Sequence, residues 1–343
     1  MNAERRRVVI CEPVRTEAQT LRRLFDSGPS LDVVGVRETA ESVISSLPSL
    51  EPDLLVINSV LPGMTGLHAV EQIMSTTPLP ILVLVPGDDG TASEALAAGA
   101  MEAQPKAGLI GLDPASAEAA SLRRRLVILS NAPAIRHPRA RLRPTPKHCP
   151  QAREVAAIGV CASTGGPQAL AKILSGLRTG YPVPILVVQH IAAGFAEGLR
   201  TWLAGVIELP VGLAADRMPL QPGVWIAPPE AHLLVDAAGR ELRLDDRTDG
   251  TVHRPSGDIL FESMAHAFGR ATAGVVLTGM GRDGAQGVRT IRGRGGITIA
   301  QDPASAAIFG MPRAAAESGA ELVLCPDEIA RQLAALKPRG GSA

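Results

Sequence analysis

The chain has 343 residues, room for two ordinary domains, and 45% of them are hydrophobic although only 2% are aromatic. Lys plus Arg equals Asp plus Glu at 34 each, so no overall charge points to nucleic acid or an anionic membrane. Cys11, Cys149, Cys161 and Cys325 form no CxxC pair and no Cys/His cluster of zinc-site spacing, the basic N-terminus leads into no signal-like segment, and no apolar run is long enough to span a bilayer. The expectation is a reducing, cytoplasmic setting without membrane insertion, and cores of Ala, Val, Leu and Ile that suit layered α/β packing.

From residue 5 to about 130, short apolar runs alternate with amphipathic stretches. RVVIC (7–11), LDVVGV (31–36), DLLVINS (53–59) and PILVLV (80–85) read as strands. TEAQTLRRLFDS (16–27), ETAESVISSLPS (38–49), GLHAVEQIMST (66–76) and SEALAAGA (93–100) read as the helices between them. Parallel neighbours need crossover helices, so this alternation predicts a doubly wound parallel sheet.

Residues 131–152 break the pattern, with five prolines, four arginines, one lysine and no acidic residue. This reads as an exposed linker: either a solvated basic connector or a docking strip for an acidic surface. Residues 153–343 resume strand–helix alternation. VAAIGVCAS, PILVVQH and TAGVVLTG read as central parallel strands, and GVWIAPPEAHLLVDAAGRELRLDD (223–246) as an inserted β-hairpin turning at Ala237-Ala238-Gly239. DEIARQLAALK reads as a closing helix before a frayed PRGGSA.

Ligands bind beyond the carboxyl ends of strands in such sheets. Three strand ends carry a nucleophile, a proton carrier and a carboxylate: Ser163 after IGVCA, His190 after ILVVQ, and Asp283 in the loop GMGRDG. A serine hydroxyl needs a base, and imidazole needs a carboxylate to hold its tautomer. Thr164-Gly165-Gly166-Pro167 leads into an apparent helix whose N-terminus, like the backbone of Gly279, Met280 and Gly281, could stabilise an oxyanion. One such donor is worth roughly 3 kcal/mol. Each piece alone has a plainer reading: a helix cap for Ser163, a satisfied structural histidine for His190, a turn residue for Asp283. The serine turn also fits phosphate, but lacks a Walker-type lysine.

ASTGGP, QHIAAGF, HRPSGDILFES (253–263) and LTGMGRDG together resemble the catalytic domain of the chemotaxis protein-glutamate methylesterases, the CheB family. PGVWIAPPEAHLLV (222–235) and AQDPASAAIFGMPRAA (300–315) are similar to further motifs of that family. The resemblance implies two doubly wound parallel-sheet α/β domains, a receiver-like flavodoxin-type domain (1–130) and a Rossmann-like methylesterase domain (153–343) with the inserted hairpin. It implies a serine hydrolase that demethylates glutamate γ-methyl esters, and deamidates certain glutamines, on the cytoplasmic helices of chemoreceptors. Ser163 would be nucleophile, His190 base then acid, and Asp283 the orienting carboxylate. Thr164, Gly165 and Met280 would support the site, with no metal or organic cofactor. Arg254, Ser256 and Asp258 would shape the cleft or anchor its loop. Docking to a chemotaxis histidine kinase and a monomeric state also follow from the resemblance.

The front domain departs from the pattern of phosphorylatable receivers. After the first strand stands Cys11-Glu12, where an acidic pair is expected. The acceptor position is Asn58, the hydroxyl position after the fourth strand is Pro86, and Lys106 remains. Asparagine forms no acyl phosphate, and one acid leaves a poor oxygen site for magnesium. The expectation is a receiver fold without its switch. The competing readings are a signalling adaptor that retains the fold without turnover, and an esterase or amidase aimed at another protein.

Overall fold

The computed structural model describes residues 5–87, 91–132, 150–192, 195–246 and 253–339. The chain divides into two compact units, Met1–Arg141 and Leu142–Ala343. Most of the basic stretch read as a linker lies outside the described residues.

In the first unit, β1 (Arg6–Cys11), β2 (Leu31–Arg37), β3 (Leu54–Asn58), β4 (Ile81–Val85) and β5 (Glu102–Pro105) form one sheet in the order β2-β1-β3-β4-β5. All four pairings are parallel, the flavodoxin-type order. The crossovers are α1 (Arg15–Asp26), α2 (Ala40–Leu50), α3 (Gly66–Thr76) and α4 (Thr91–Ala97), with α5 (Lys106–Ile110) and α6 (Ala117–Ser130) after the last strand. β3 and β4 are buried along their whole length, as a sheet covered on both faces requires. Helix α2 starts two residues later than its periodicity suggests. The Thr39 hydroxyl accepts the Ser42 N–H, and the Ser42 hydroxyl accepts the Thr39 N–H, so Thr39 is held extended as a cap. The order reverses between β1 and β3, which places the ends of those strands, Glu12 and Asn58, at the switch point.

The second unit opens with β6 (Glu154–Val155), β7 (Ala157–Ala162), α7 (Gly166–Leu174), β8 (Ile185–Gln189), α8 (Ala196–Val206), β9 (Val211–Leu213) and β10 (Val224–Ile226). After β11 (His232–Val235) and β12 (Leu242–Asp245) come α9 (Gly257–Phe268), β13 (Thr272–Val276), α10 (Ala285–Gly293), β14 (Ile297–Gln301), α11 (Met311–Glu317), β15 (Leu322–Leu324), α12 (Pro326–Ala335) and β16 (Lys337–Pro338). Seven strands form a wholly parallel sheet, β15-β14-β13-β7-β8-β10-β9. Three adjacent strands, β13, β7 and β8, are those that carry Asp283, Ser163 and His190 beyond their carboxyl ends.

Two expectations change. The stretch 223–246 is not one hairpin: Val224–Ile226 pairs in parallel with β8 and β9 inside the main sheet, and only β11 and β12 form the antiparallel hairpin. The prolines at 228 and 229 interrupt the run between them. The hairpin turn is organised by Asp236, whose Oδ1 accepts the N–H groups of Arg240 and Glu241. The residues after the closing helix do not simply fray, because Lys337–Pro338 pairs with Glu154–Val155.

Glycines let α9 lie close on the sheet. A methyl group at Gly159 of β7 would sit 2.8 Å from the Phe261 ring, and one at Gly287 of α10 would sit 2.4 Å from Phe261 Cβ. Phe261 is fully buried in this slot, so the small residues of two neighbouring elements are matched to one large one. That packing fixes α9, whose N-terminus reaches the candidate site. Phe261→Ala is expected to lower unfolding free energy by about 3–5 kcal/mol, seen as a lower urea midpoint; a change under about 1 kcal/mol would contradict this account.

Candidate active site

Ser163 follows β7, with its N–H bonded to Thr278 O at 3.0 Å. Its carbonyl accepts from Gly166 N at 2.8 Å and from Gln189 Nε2 at 2.9 Å. The turn needs its glycines. Gly165 caps α7 at φ +74°, and a methyl group at Gly166 would lie 2.1 Å from Gln189 Oε1. Pro167 occupies the first turn, where its missing N–H costs nothing.

The second glycine loop is pressed against the serine. A methyl group at Gly279 would lie 2.7 Å from Ser163 Cβ and 2.4 Å from Met311 Sδ. Gly279 N donates to Ile308 O, and Gly279 O accepts from Gly310 and Met311. The Met280 N–H that follows has no hydrogen-bond partner among the described residues. Thr164 contributes its carbonyl, which accepts from Thr278 Oγ1 at 2.9 Å.

His190 follows β8, and its N–H donates to Ala162 O at 2.9 Å, tying its backbone to the residue before the serine. Its Nε2 lies 2.8 Å from Asp283 Oδ2. A carboxylate only accepts, so Nε2 carries the proton and Nδ1 is left as the acceptor. The structure thus joins imidazole to carboxylate and brings the serine to the same strand ends. Ser163 Oγ and the His190 ring share no hydrogen bond among the described residues.

Asp283 is 7% exposed and is held on every side. Its Oδ1 accepts from Ser256 Oγ at 2.8 Å and Asp258 N at 3.1 Å, and its Oδ2 accepts from Gly257 N at 2.6 Å. These are the first groups of α9, where unpaired N–H groups and the helix dipole favour an anion. Burial pushes the Asp283 pKa upward, but the His190 imidazole and the N–H groups of Gly257 and Asp258 outweigh it and hold the carboxyl well below its usual range.

Ser256 therefore anchors the carboxylate. Asp258 uses its side chain to accept from Gly287 N at 2.8 Å, and Arg254 donates to Asp246 O at 2.8 Å. Burial, with a smaller push from the neighbouring Asp283 charge, raises the Asp258 pKa to about 6, against the bond from Gly287. Three residues had no role in the sequence reading. His253 stacks on His190 with centroids 4.6 Å apart and rings 18° from parallel. Gln189 bridges the carbonyls of Ser163 and His190. Cys161 sets its Sγ 3.6 Å from Asp283 Oδ2, and a methyl group at Gly257 would lie 2.2 Å from that sulfur. Each sits one or two residues from a motif residue or inside a motif, but sequence adjacency shows no direction.

In the first unit, Asn58 and Glu12 are buried and bonded to each other, Nδ2 to Oε2 at 2.9 Å. Asn58 Oδ1 accepts from Val60 N, and Glu12 Oε1 from Val14 N. Lys106 Nζ lies 3.5 Å from Glu12 and 2.6 Å from Glu17. The polar groups satisfy one another, whereas an aspartate at position 58 would set a second negative charge against Glu12 in place of the amide donor. Pro86 is exposed and offers no hydroxyl.

No helix among the described residues is long and apolar enough to cross a membrane. The family model described as CheB methylesterase matches residues 158–333, and that of the response regulator receiver domain matches residues 8–107. Over 342 residues the chain is 40% identical to a protein-glutamate methylesterase/protein-glutamine glutaminase 3 of Anaeromyxobacter dehalogenans, covering 96% of this chain and 98% of the relative. It is 39% identical over 346 residues to a protein of the same name in Myxococcus xanthus, covering 98% and 96%. The second unit is similar to the crystal structure of the Thermotoga maritima CheB methylesterase catalytic domain, with TM-score 0.51 and 35% identity over 53% of this chain and 98% of that one.

Asp258 supplies a test of the site's electrostatics. Its raised pKa means that the folded state holds a proton that the unfolded chain has lost between pH 3.8 and about 6. Wild-type stability should therefore fall, relative to Asp258→Asn, as pH rises through that window. Urea unfolding of both proteins at several pH values reads the difference, and a gap independent of pH would refute the assigned environment.

Proposed function

This chain belongs to the CheB methylesterase family, and from that premise we propose that it hydrolyses glutamate γ-methyl esters on the cytoplasmic helices of chemoreceptors, using Ser163, His190 and Asp283. The supporting observation is the 2.8 Å bond between His190 Nε2 and a carboxylate held by the N-terminus of α9, beside a serine on the next strand. The reading divides the chain into a receiver-like domain (1–130), a linker (131–152) and a catalytic domain (153–343).

In this mechanism Ser163 Oγ attacks the ester carbonyl as His190 Nδ1 takes its proton. Asp283, bonded to Nε2–H, stabilises the imidazolium that forms. The Met280 N–H accommodates the developing oxyanion, since it follows the fixed Gly279 and has no hydrogen-bond partner among the described residues. Collapse expels methanol, which takes the proton from His190. Water then attacks the acyl-enzyme, its proton passing to His190 and on to Ser163, and the product is the free glutamate. With a glutamine the same steps release ammonia.

Ser163→Ala should reduce release of methanol from methylated receptor by at least about three orders of magnitude with the fold intact. Retention of most of the activity would sink the assignment of the nucleophile.

The front domain acts in this reading without aspartyl phosphorylation. Asn58 has no carboxylate to accept a phosphoryl group, and its amide already binds the one remaining acid, Glu12. Radiolabelled acetyl phosphate should leave no acid-labile label on the full chain. Label that disappears when Asn58 or Glu12 is replaced would show that the switch survives.

A further inference from the structure

The proposed mechanism gives Cys161 no step, yet its buried sulfur lies beside His190 and Asp283. Cys161 Sγ, a His190 ring nitrogen and an Asp283 carboxylate oxygen all lie within 4.8 Å of one another, from β7, the end of β8 and the loop before α10. The sulfur-to-oxygen separation is 3.6 Å and the nitrogen-to-oxygen separation is 2.8 Å. Zinc bound at about 2.3 Å to sulfur and about 2.0–2.2 Å to nitrogen and oxygen has ligand atoms spaced on that scale.

We infer that Cys161, His190 and Asp283 form an inhibitory site for a thiophilic divalent cation, zinc above all. The charges fit. A thiolate and a carboxylate together neutralise the ion, and the neutral imidazole adds none, so the buried assembly carries no net charge. The donor set selects as well: thiolate and imidazole favour zinc, whereas magnesium and calcium prefer oxygen ligands. The outer shell is already built, because Ser256 Oγ and the N–H groups of Gly257 and Asp258 orient the carboxylate. Gly257 leaves room for the sulfur, where any larger residue would collide with it.

Binding is a balanced exchange. The Cys161 thiol loses one proton to solvent, and burial together with the Asp283 charge opposes that loss until the metal replaces the proton. The His190 Nε2 proton leaves to solvent as Nε2 binds the metal, and Nδ1 takes one up, so the ring stays neutral with its proton on Nδ1. The ring then has no lone pair to accept the Ser163 proton, and the bond to Asp283 is broken. The metal stops hydrolysis by occupying the base, without touching the ester.

This inference rests on the proposed role of His190 only for its effect on activity, so the test separates binding from inhibition. Cobalt(II) serves as the spectroscopic probe. The full chain, and equally its Ser163→Ala variant, should develop a thiolate-to-cobalt charge-transfer band that zinc displaces and that Cys161→Ala lacks, though Cys11, Cys149 and Cys325 remain. Zinc should inhibit hydrolysis of methylated receptor reversibly, with a chelator restoring it and magnesium without effect. Cys161→Ala, compared with its own metal-free rate, should need about 10–100-fold more zinc for the same inhibition. Absence of the band in wild type, or the same band in Cys161→Ala, overturns the site. Band present with undiminished hydrolysis leaves the metal site standing and overturns its inhibitory role and the role of His190 together.

Discussion

Removing the Asp283 carboxylate from water costs several kcal/mol, and the second unit is arranged so that this charge is met wherever it could be unpaired. Two backbone N–H groups and a hydroxyl from the start of α9, together with the His190 ring, supply four donors to two oxygens. Breaking one of them would strand a buried charge, so α9, the loop before α10 and the end of β8 are held as one piece. The orientation of the imidazole follows from this, because the anion accepts only from the protonated nitrogen. The bond that stabilises the carboxylate is also the one that sets which His190 nitrogen is left free to accept a proton.

The position of α9 is itself a packing result. Phe261 fills a slot left by Gly159 and Gly287, and Gly257 lets the backbone come within contact of Cys161 and Asp283. Larger residues at these glycines would lift the helix from the sheet by more than a hydrogen bond tolerates. The geometry of the candidate site thus depends on residues with no chemistry of their own. The same closeness brings a thiol into contact with the carboxylate, which is how a metal site can arise inside a hydrolase.

The first unit shows the opposite use of a buried polar cluster. Glu12, Asn58, Lys106 and Glu17 bond to one another, so the amide at position 58 completes a network where an acid would add like charge. At the switch point of this unit's sheet the side chains therefore bond to one another. Its sheet, β2-β1-β3-β4-β5, is unaffected, because strand order is decided by buried apolar runs and crossover helices, not by the residues at the strand ends.

Strand–helix alternation, the serine turn and the placement of Ser163, His190, Asp283, Asn58 and Glu12 beyond or at strand ends were legible in the sequence, because periodicity and turn chemistry are local properties of the chain. Val224–Ile226 was misread, since three apolar residues pair equally well in a hairpin or in a parallel sheet, and only the neighbours β8 and β9 decide between them. The stacking of His253 on His190, the bridge made by Gln189 and the Ser256, Gly257 and Asp258 donors around Asp283 were not legible, because they join residues far apart in the sequence along directions that the backbone sets only when folded. Cys161, His190 and Asp283 follow no metal-binding spacing, yet three strands of one sheet gather them within 4.8 Å. The sequence by itself determined which groups the protein owns and which elements carry them. The tertiary structure alone decided which of those groups touch, because contact depends on how closely helices pack on a sheet, and that is a property of many side chains at once.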